Sequence, residues 1–152
     1  MGLSSNDVDL TPFSVEVECG RLRAFSRVTG QDDPVYSDVA AALTAGYPSL
    51  PVPPTFLFCL EWEGPQPMKM YERLGIDYSH VLHGEQHFRY HRMAFAGETL
   101  RFAPRITDQY QKKGGSLRFL VRETRVEGED ERAVADLRSV YVVRDPRQGT
   151  PA

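Results

Sequence analysis

Side chains that could transfer protons are concentrated in residues 81–91. His83, Glu85, His87 and His91 stand at alternate positions there. Because successive side chains of a strand point to opposite faces, this spacing predicts one strand face that carries all four. A histidine beside a carboxylate or a second histidine on such a face could act as a general acid and base, with Glu85 or His87 as the partner of His83.

The same face could instead bind a metal ion through His83, Glu85 and His87. A two-residue strand spacing without cysteine is a weak zinc signal, so we expect no metal here. The pattern favours a polar sheet surface or a contact with another subunit.

An apolar segment, residues 50–62, is the element that has to position these groups. Pro53 and Pro54 can occupy the first turn of a helix, where a backbone N–H has no intrahelical partner in any case. The following positions are almost all apolar, which is typical of a buried helix, and we predict one over Pro54–Trp62. At about 15 Å it is too short to cross a bilayer, so the rest of the chain has to cover it.

The covering element is a predicted antiparallel sheet. Alternating apolar residues predict a short strand at 13–17, and a three-residue period predicts a helix over 19–29. Ser37 or Asp38 can cap a second short helix. Short turns connect the remaining strands, which are expected to be antiparallel neighbours in an α+β arrangement that wraps the central helix; they span residues 81–93, 99–111, 116–126 and 132–143.

Composition limits the function classes. The chain has 152 residues and a net charge of -3, so it shows no electrostatic footprint for nucleic acid or an anionic membrane. We expect one domain over residues 1–145 and a disordered tail over 146–152. No signal peptide or transmembrane pattern is visible, and Cys19 and Cys59 are not expected to pair, which favours a reducing cytoplasm.

Three segments together resemble the MaoC-like hydratase/dehydratase group, which has the hotdog fold. They are residues 30–36, residues 52–56 at the start of the central helix, and residues 72–86. The resemblance extends from Phe13 to Arg144. Residues 75–86 look like those of the accessory subunits of mycobacterial-type 3-hydroxyacyl-carrier-protein dehydratases. The resemblance implies a single hotdog, a curved sheet around the central helix.

The resemblance also implies a substrate class and a reaction. Members act on acyl thioesters of coenzyme A or acyl carrier protein and add water reversibly across a trans-2-enoyl double bond. Active members carry an Asp and a His that bind the water and transfer its protons. In this chain Gln31 stands at the Asp position and Tyr36 at the His position. Glutamine accepts no proton near neutral pH, and a tyrosine of ordinary pKa is a poor base, so the dyad is missing.

The resemblance further implies which residues bind the thioester and which partners are required. The expected contact residues are Asp33, Tyr36, Pro54, Thr55 and Phe56, with backbone amides at the helix start holding the thioester oxygen. No cofactor is expected, because coenzyme A or phosphopantetheine enters as part of the substrate. The missing dyad fits an accessory subunit, present as a homodimer or as a heterodimer with a catalytic hotdog chain.

Alternative functions remain open, one of which is a ligand-binding or regulatory hotdog without turnover. The chain could be a self-sufficient hydratase that uses His83, Glu85 and His87. It could be a hotdog thioesterase that uses Glu61, although the position after the apolar body of the helix predicts a solvated charge. A hairpin tip at residues 112–115 could contact substrate phosphates, although an ordinary exposed turn is the simpler interpretation.

Overall fold

The structure is a computed structural model that describes residues 10–64 and 68–144. The predicted disordered tail, residues 146–152, lies outside the described residues. Within the described part of the chain, no helix combines the length and the apolar character needed to cross a membrane.

The helices and strands follow the sequence prediction closely. Residues 10–64 and 68–144 contain four α-helices, α1 (Cys19–Thr29), α2 (Val39–Thr44), α3 (Phe56–Glu61) and α4 (Lys69–Arg73). The same residues contain five strands, β1 (Phe13–Glu16), β2 (Val81–Tyr90), β3 (Thr99–Lys112), β4 (Leu117–Glu127) and β5 (Ala133–Arg144). Asp38 caps α2 by accepting a hydrogen bond from the Ala40 N–H at 2.9 Å.

The strands form one antiparallel sheet in the order β1-β3-β4-β5-β2. Short turns connect β3 to β4 and β4 to β5, so consecutive strands are neighbours there. β2 lies at one edge and β1 at the other. This α+β sheet with a central helix is the hotdog arrangement that the resemblance implies, and the predicted fold class is confirmed.

The helix α3 is the core of this arrangement. Its Phe56, Leu57 and Leu60 are buried in one cluster with side chains of β3, β4 and β5. The ring of Phe25 on α1 packs edge-on against Phe56, with 4.9 Å between centroids. The sheet therefore buries most of the helix surface, and burial of this apolar area drives the fold.

The predicted helix Pro54–Trp62 is too long at its start. Thr55 has φ 73, a left-handed conformation that a helix cannot contain, and α3 begins at Phe56. Both prolines consequently precede the helix, and the Phe56 N–H donates to the Pro53 carbonyl at 3.1 Å. Burial is also less uniform than predicted, since Phe58 and Cys59 are only half-buried.

The conformation of Thr55 leads to a stability prediction. A β-branched residue in the left-handed region is strained, and glycine adopts that region without strain. We expect Thr55→Gly to raise the free energy of unfolding by about 0.5–1 kcal/mol in urea denaturation. Thr44→Gly, at the end of α2, is the control and is expected to lower it; a loss of stability in Thr55→Gly would contradict the strain argument.

Candidate functional site

A pocket of about 320 Å³ lies at the start of α3 and is the candidate substrate site. We call it the front pocket. Residues from the connector after α1, from the segment before α3 and from the end of β2 meet there. They include Tyr36, Val52, Pro54, Leu57, Tyr90 and Met93. Its wall is mainly apolar, with the two phenols, His91 and Arg92 as polar side chains, which is typical of a site for a small organic ligand.

Tyr36 reaches the front pocket because residues 34–36 form a single 3-10 turn. The Asp33 carboxylate caps this turn by accepting a hydrogen bond from the Val35 N–H at 3.1 Å. Burial, followed by the neighbouring Tyr47 and Asp33, raises the pKa of Tyr36 above its ordinary value. The phenol therefore stays protonated at neutral pH, so it can donate a hydrogen bond but cannot act as a base.

Tyr90 connects β2 to the start of α3. The Thr55 N–H donates to the Tyr90 hydroxyl oxygen at 3.0 Å. Burial raises the pKa of Tyr90, so its hydroxyl is also protonated at neutral pH. The Thr55 amide, expected from the resemblance to hold the thioester oxygen, is thus already engaged, and the Tyr90 hydroxyl stands in front of it.

Only some of the residues predicted for the site line the front pocket. The Gln31 side chain folds forward onto the following turn and accepts a hydrogen bond from the Asp33 N–H at 3.1 Å. Phe56 is buried against α1 and does not line the front pocket. Tyr36 and Pro54 do line it. Neither Gln31 nor Asp33 is among the residues that line this pocket.

The prediction that the histidines of β2 share a face is wrong at His83. The register against β5 shifts between His83 and Glu85, which is a β-bulge. His83 pairs with Tyr141 on the helix side of the sheet, whereas His87 pairs with Arg138 on the outer side. A Cβ on Gly84 would lie 3.1 Å from a methyl of Val142 and 3.2 Å from the Val140 carbonyl oxygen, so any larger residue would crowd the bulge.

The bulge separates His83 from the other two members of the proposed acid/base set. His83 packs on the ring of Phe58, with 4.9 Å between centroids. On the outer face, His87 bonds Glu85 at 3.2 Å, and that hydrogen bond lowers the pKa of Glu85. Among residues 10–64 and 68–144, no group of three or more His, Cys, Asp or Glu side chains could hold a metal ion.

Glu61 contradicts its prediction as a solvated helix-end charge. It is 2% exposed, and its carboxylate pairs with Arg122 of β4 at 3.1 Å. The Thr124 hydroxyl donates a further hydrogen bond to the same oxygen, Oε1. Alternation does not reveal this arrangement, because polar residues at alternate positions of a strand, such as Arg122 and Thr124, are typical of a side that faces solvent. The helix side of β4 is instead polar at its centre.

The buried pair makes a testable stability prediction. Removing one partner leaves an uncompensated charge in the core, whereas replacing both removes the charge. We expect Arg122→Met to lower the free energy of unfolding by about 3–5 kcal/mol, and Glu61→Leu combined with Arg122→Met to recover most of that loss.

The control for this measurement is Arg105→Met. It breaks an exposed ion pair of 3.4 Å with Glu123, and we expect an effect of about 0–1 kcal/mol. Urea denaturation of the four proteins compares them directly. An equally small effect from Arg122→Met would show that the buried pair does not stabilise the chain.

The hairpin tip resembles an ordinary turn in its packing. The ammonium group of Lys112 lies over the rings of Tyr110 and Phe119, at 5.5 Å and 5.1 Å from their centroids. Lys113 and the two glycines after it form a 3-10 turn. A role of this tip in phosphate binding stays a prediction.

Comparison with known proteins gives sequence relatives over most of the chain. The family described as FAS1-like, dehydratase domain region matches residues 7–137. A UPF0336 protein of Saccharopolyspora erythraea is 35% identical over 130 residues, which are 85% of this chain and 81% of that protein. A UPF0336 protein of Thermobifida fusca is 32% identical over 139 residues, 91% of each chain.

Solved structures share the fold at lower identity. A chain of the C-terminally truncated HadBC (3R-hydroxyacyl-ACP dehydratase) complex of Mycobacterium tuberculosis superimposes with a TM-score of 0.76, at 19% identity, over 91% of this chain and 99% of that one. A chain of the ChsH1-ChsH2 complex of the same organism superimposes with a TM-score of 0.71, at 21% identity, over 93% of this chain and 90% of that one. The R-hydratase PhaJ1 of Pseudomonas aeruginosa superimposes with a TM-score of 0.66, at 16% identity, over 89% of this chain and 79% of that one.

Proposed function

This chain belongs to the family described as FAS1-like, dehydratase domain region, and we propose that it is an acyl-thioester-binding accessory subunit. It would work with a catalytic hotdog partner in an (R)-specific enoyl-thioester hydratase, equivalently a 3-hydroxyacyl-thioester dehydratase. Coenzyme A or the phosphopantetheine of acyl carrier protein would enter as part of the substrate, without any other cofactor.

The observation that carries the proposal is a substrate-sized front pocket in which the two positions of the family's Asp and His dyad hold other residues. His91 also lines this pocket, and its Nε2 lies 2.7 Å from a carboxylate oxygen of Asp136, so the imidazole is already paired. Tyr36 replaces the usual histidine there, and its raised pKa makes it a hydrogen-bond donor. Gln31 replaces the usual carboxylate and is bonded to the Asp33 N–H. A hydration step needs one group that takes a proton from water, and neither side chain can do so at neutral pH.

The residues that remain can bind and orient a thioester. The Tyr90 hydroxyl accepts the Thr55 N–H, which leaves its own hydrogen available for the thioester oxygen. Tyr36 supplies a second hydroxyl from the opposite segment. Val52, Pro54 and Leu57 give the acyl group an apolar wall and exclude water from it.

The open edge of β2 supports a partner chain. Along its whole length, Val81–Tyr90, β2 pairs with β5 on one side and with no other strand of residues 10–64 and 68–144. Such an edge presents unpaired N–H and C=O groups that a second strand can satisfy. The HadBC and ChsH1-ChsH2 structures are complexes of two different subunits, which supports a heteromeric partner for this chain as well.

The geometry does not favour the thioesterase alternative. A carboxylate that activates water has to reach both the water and the thioester. Glu61 instead lies in the core, paired with Arg122 and Thr124. The alternative hydratase set is divided by the bulge at Gly84.

An activity assay tests the proposal. The purified chain is expected to bind crotonyl-coenzyme A, measured by calorimetry, and to leave its enoyl absorbance unchanged. Gln31→Asp combined with Tyr36→His restores both motif residues, and we expect hydration to rise at least about tenfold above background, as one positioned acid/base group contributes that much or more. Tyr36→His alone is the matched control and should stay at background. Rapid hydration by the unmodified chain would refute the accessory role.

The partner edge can be tested separately. Glu85 and His87 have side chains about 59% and 60% exposed, so replacing both with lysine should leave the fold intact. Lysines on an edge strand oppose pairing with another strand, and we expect the double variant to shift the protein from dimer to monomer in light scattering. Glu129→Lys, in the exposed β4–β5 turn, is the control and should remain dimeric. An unchanged dimer in the double variant would place the interface elsewhere.

A further inference from the structure

A second pocket lies at the opposite end of α3 from the front pocket, and its wall is built almost entirely of rings. Its volume is about 320 Å³. We call it the aromatic pocket. The rings that line it come from α3 and the position after it, from the α4 region, from β2 and from β5; they are Phe58, Trp62, Tyr71, Tyr78, His83 and Tyr141.

Each ring of the aromatic pocket contacts another ring. Tyr71 and Tyr141 meet edge to face, with 6.0 Å between centroids and 85° between planes. Trp62 meets Tyr141 at 6.3 Å and 88°. Tyr78 packs on Tyr71 at 5.2 Å and is 51% exposed, so it stands at the mouth. Aromatic pairs are more favourable than their area alone explains, and such a wall offers further edge-to-face positions to a ring.

The polar atoms of three of these side chains are turned away from the pocket. The hydroxyls of Tyr71 and Tyr141 and the indole nitrogen of Trp62 are all buried, without a hydrogen-bond partner among the described residues. Burial raises the pKa of both tyrosines, and the positive charge of Arg122 partly opposes this rise. The two hydroxyls therefore lie near the Glu61–Arg122 pair. These three side chains therefore present ring surface to the pocket, and two further lining residues, Tyr78 and His83, also carry polar atoms.

The two pockets lie at opposite ends of α3, and β2 contacts the α3 segment beside each of them. Tyr90, at the end of β2, bonds Thr55, just before α3. His83, near the start of β2, packs on Phe58, and Trp62 follows one turn later. Thr55 and Trp62 are seven residues apart, which is about 10 Å along a helix. An extended octanoyl chain has a similar length, so a thioester bound in the front pocket could place its distal end in the aromatic pocket.

We propose that the aromatic pocket binds the distal end of the acyl group and selects a ring there over a linear alkyl end. The inference rests on the proposed function, because it requires the thioester to lie in the front pocket. A terminal ring can make edge-to-face contacts with the rings of the pocket wall in addition to burying apolar surface. A linear chain of equal carbon count is stabilised only by the burial of its apolar surface. The substrate class is thus an acyl thioester with an aromatic or alicyclic terminus.

Binding of two matched thioesters to the full chain tests this. ω-Phenyloctanoyl-coenzyme A and tetradecanoyl-coenzyme A have the same carbon count, and calorimetry below their micelle concentrations gives each affinity. We expect the phenyl-ended thioester to bind about fivefold more tightly, the gain of one favourable aromatic pair. Trp62 is the only tryptophan of the chain, so its emission reports whether the aromatic pocket is filled.

Two variants separate ring selection from simple binding. Tyr78→Ala opens the mouth of the aromatic pocket and should remove the preference for the phenyl-ended thioester while leaving the binding of tetradecanoyl-coenzyme A within about twofold. Tyr110→Ala removes a ring of the outer sheet face, stacked on Phe119 at 4.8 Å, and should keep the preference.

The outcomes distinguish this inference from the function on which it rests. Equal affinity for both thioesters, with unchanged Trp62 emission, would overturn ring selection and leave thioester binding standing. Binding of neither would refute both proposals. A preference that persists in Tyr78→Ala would place the ring outside this pocket and would also overturn the inference.

Discussion

The buried ion pair between Glu61 and Arg122 connects the central helix to the middle of the sheet. A charge in the core is tolerated only with its counter-charge and with hydrogen bonds, so the pair fixes which residue of α3 faces which residue of β4. Burial of Phe56, Leu57 and Leu60 supplies the stabilising area, but many rotations of an apolar helix would bury a similar area. The ion pair selects one rotation, and that rotation turns Phe58 toward β2.

The rotation of α3 determines both pockets. With Glu61 facing the sheet, Thr55 lies beside Tyr90 at one end, and Trp62 lies beside Tyr141 at the other. Two protonated phenols, at Tyr36 and Tyr90, are then the groups to which the proposed function assigns the thioester oxygen, and neither can take a proton at neutral pH. This arrangement is the structural basis for proposing that a partner performs the chemistry.

Much of the fold could be predicted from the sequence. The alternation from Ser116 onward and the short turns identified the antiparallel strands, and the residues of the segment before Trp62 identified the central helix. Two features of the fold could not be predicted. A bulge at Gly84 adds one residue to β2 and moves His83 to the helix side, and no period-2 pattern can show an added residue. Glu61 was missed because its partners, Arg122 and Thr124, are far away in sequence.

The site was predictable only in part for the same reason. Tyr36 and Pro54 reach the front pocket through local features, a capped turn and a proline before a helix. The role of Tyr90 could not be predicted, since its contact with Thr55 joins two segments 35 residues apart. Contacts of this kind depend on how the sheet curves around the helix, which alternation does not encode.

The two edges of the sheet are unequal, and the inequality limits how large an assembly can grow. β2 offers ten residues to another strand, whereas β1, at the far edge, has only four. When two such chains join through their long edges, the pair exposes only the short ones, which give a third chain little to bond with. Association by this route closes at a pair and does not continue into a fibre.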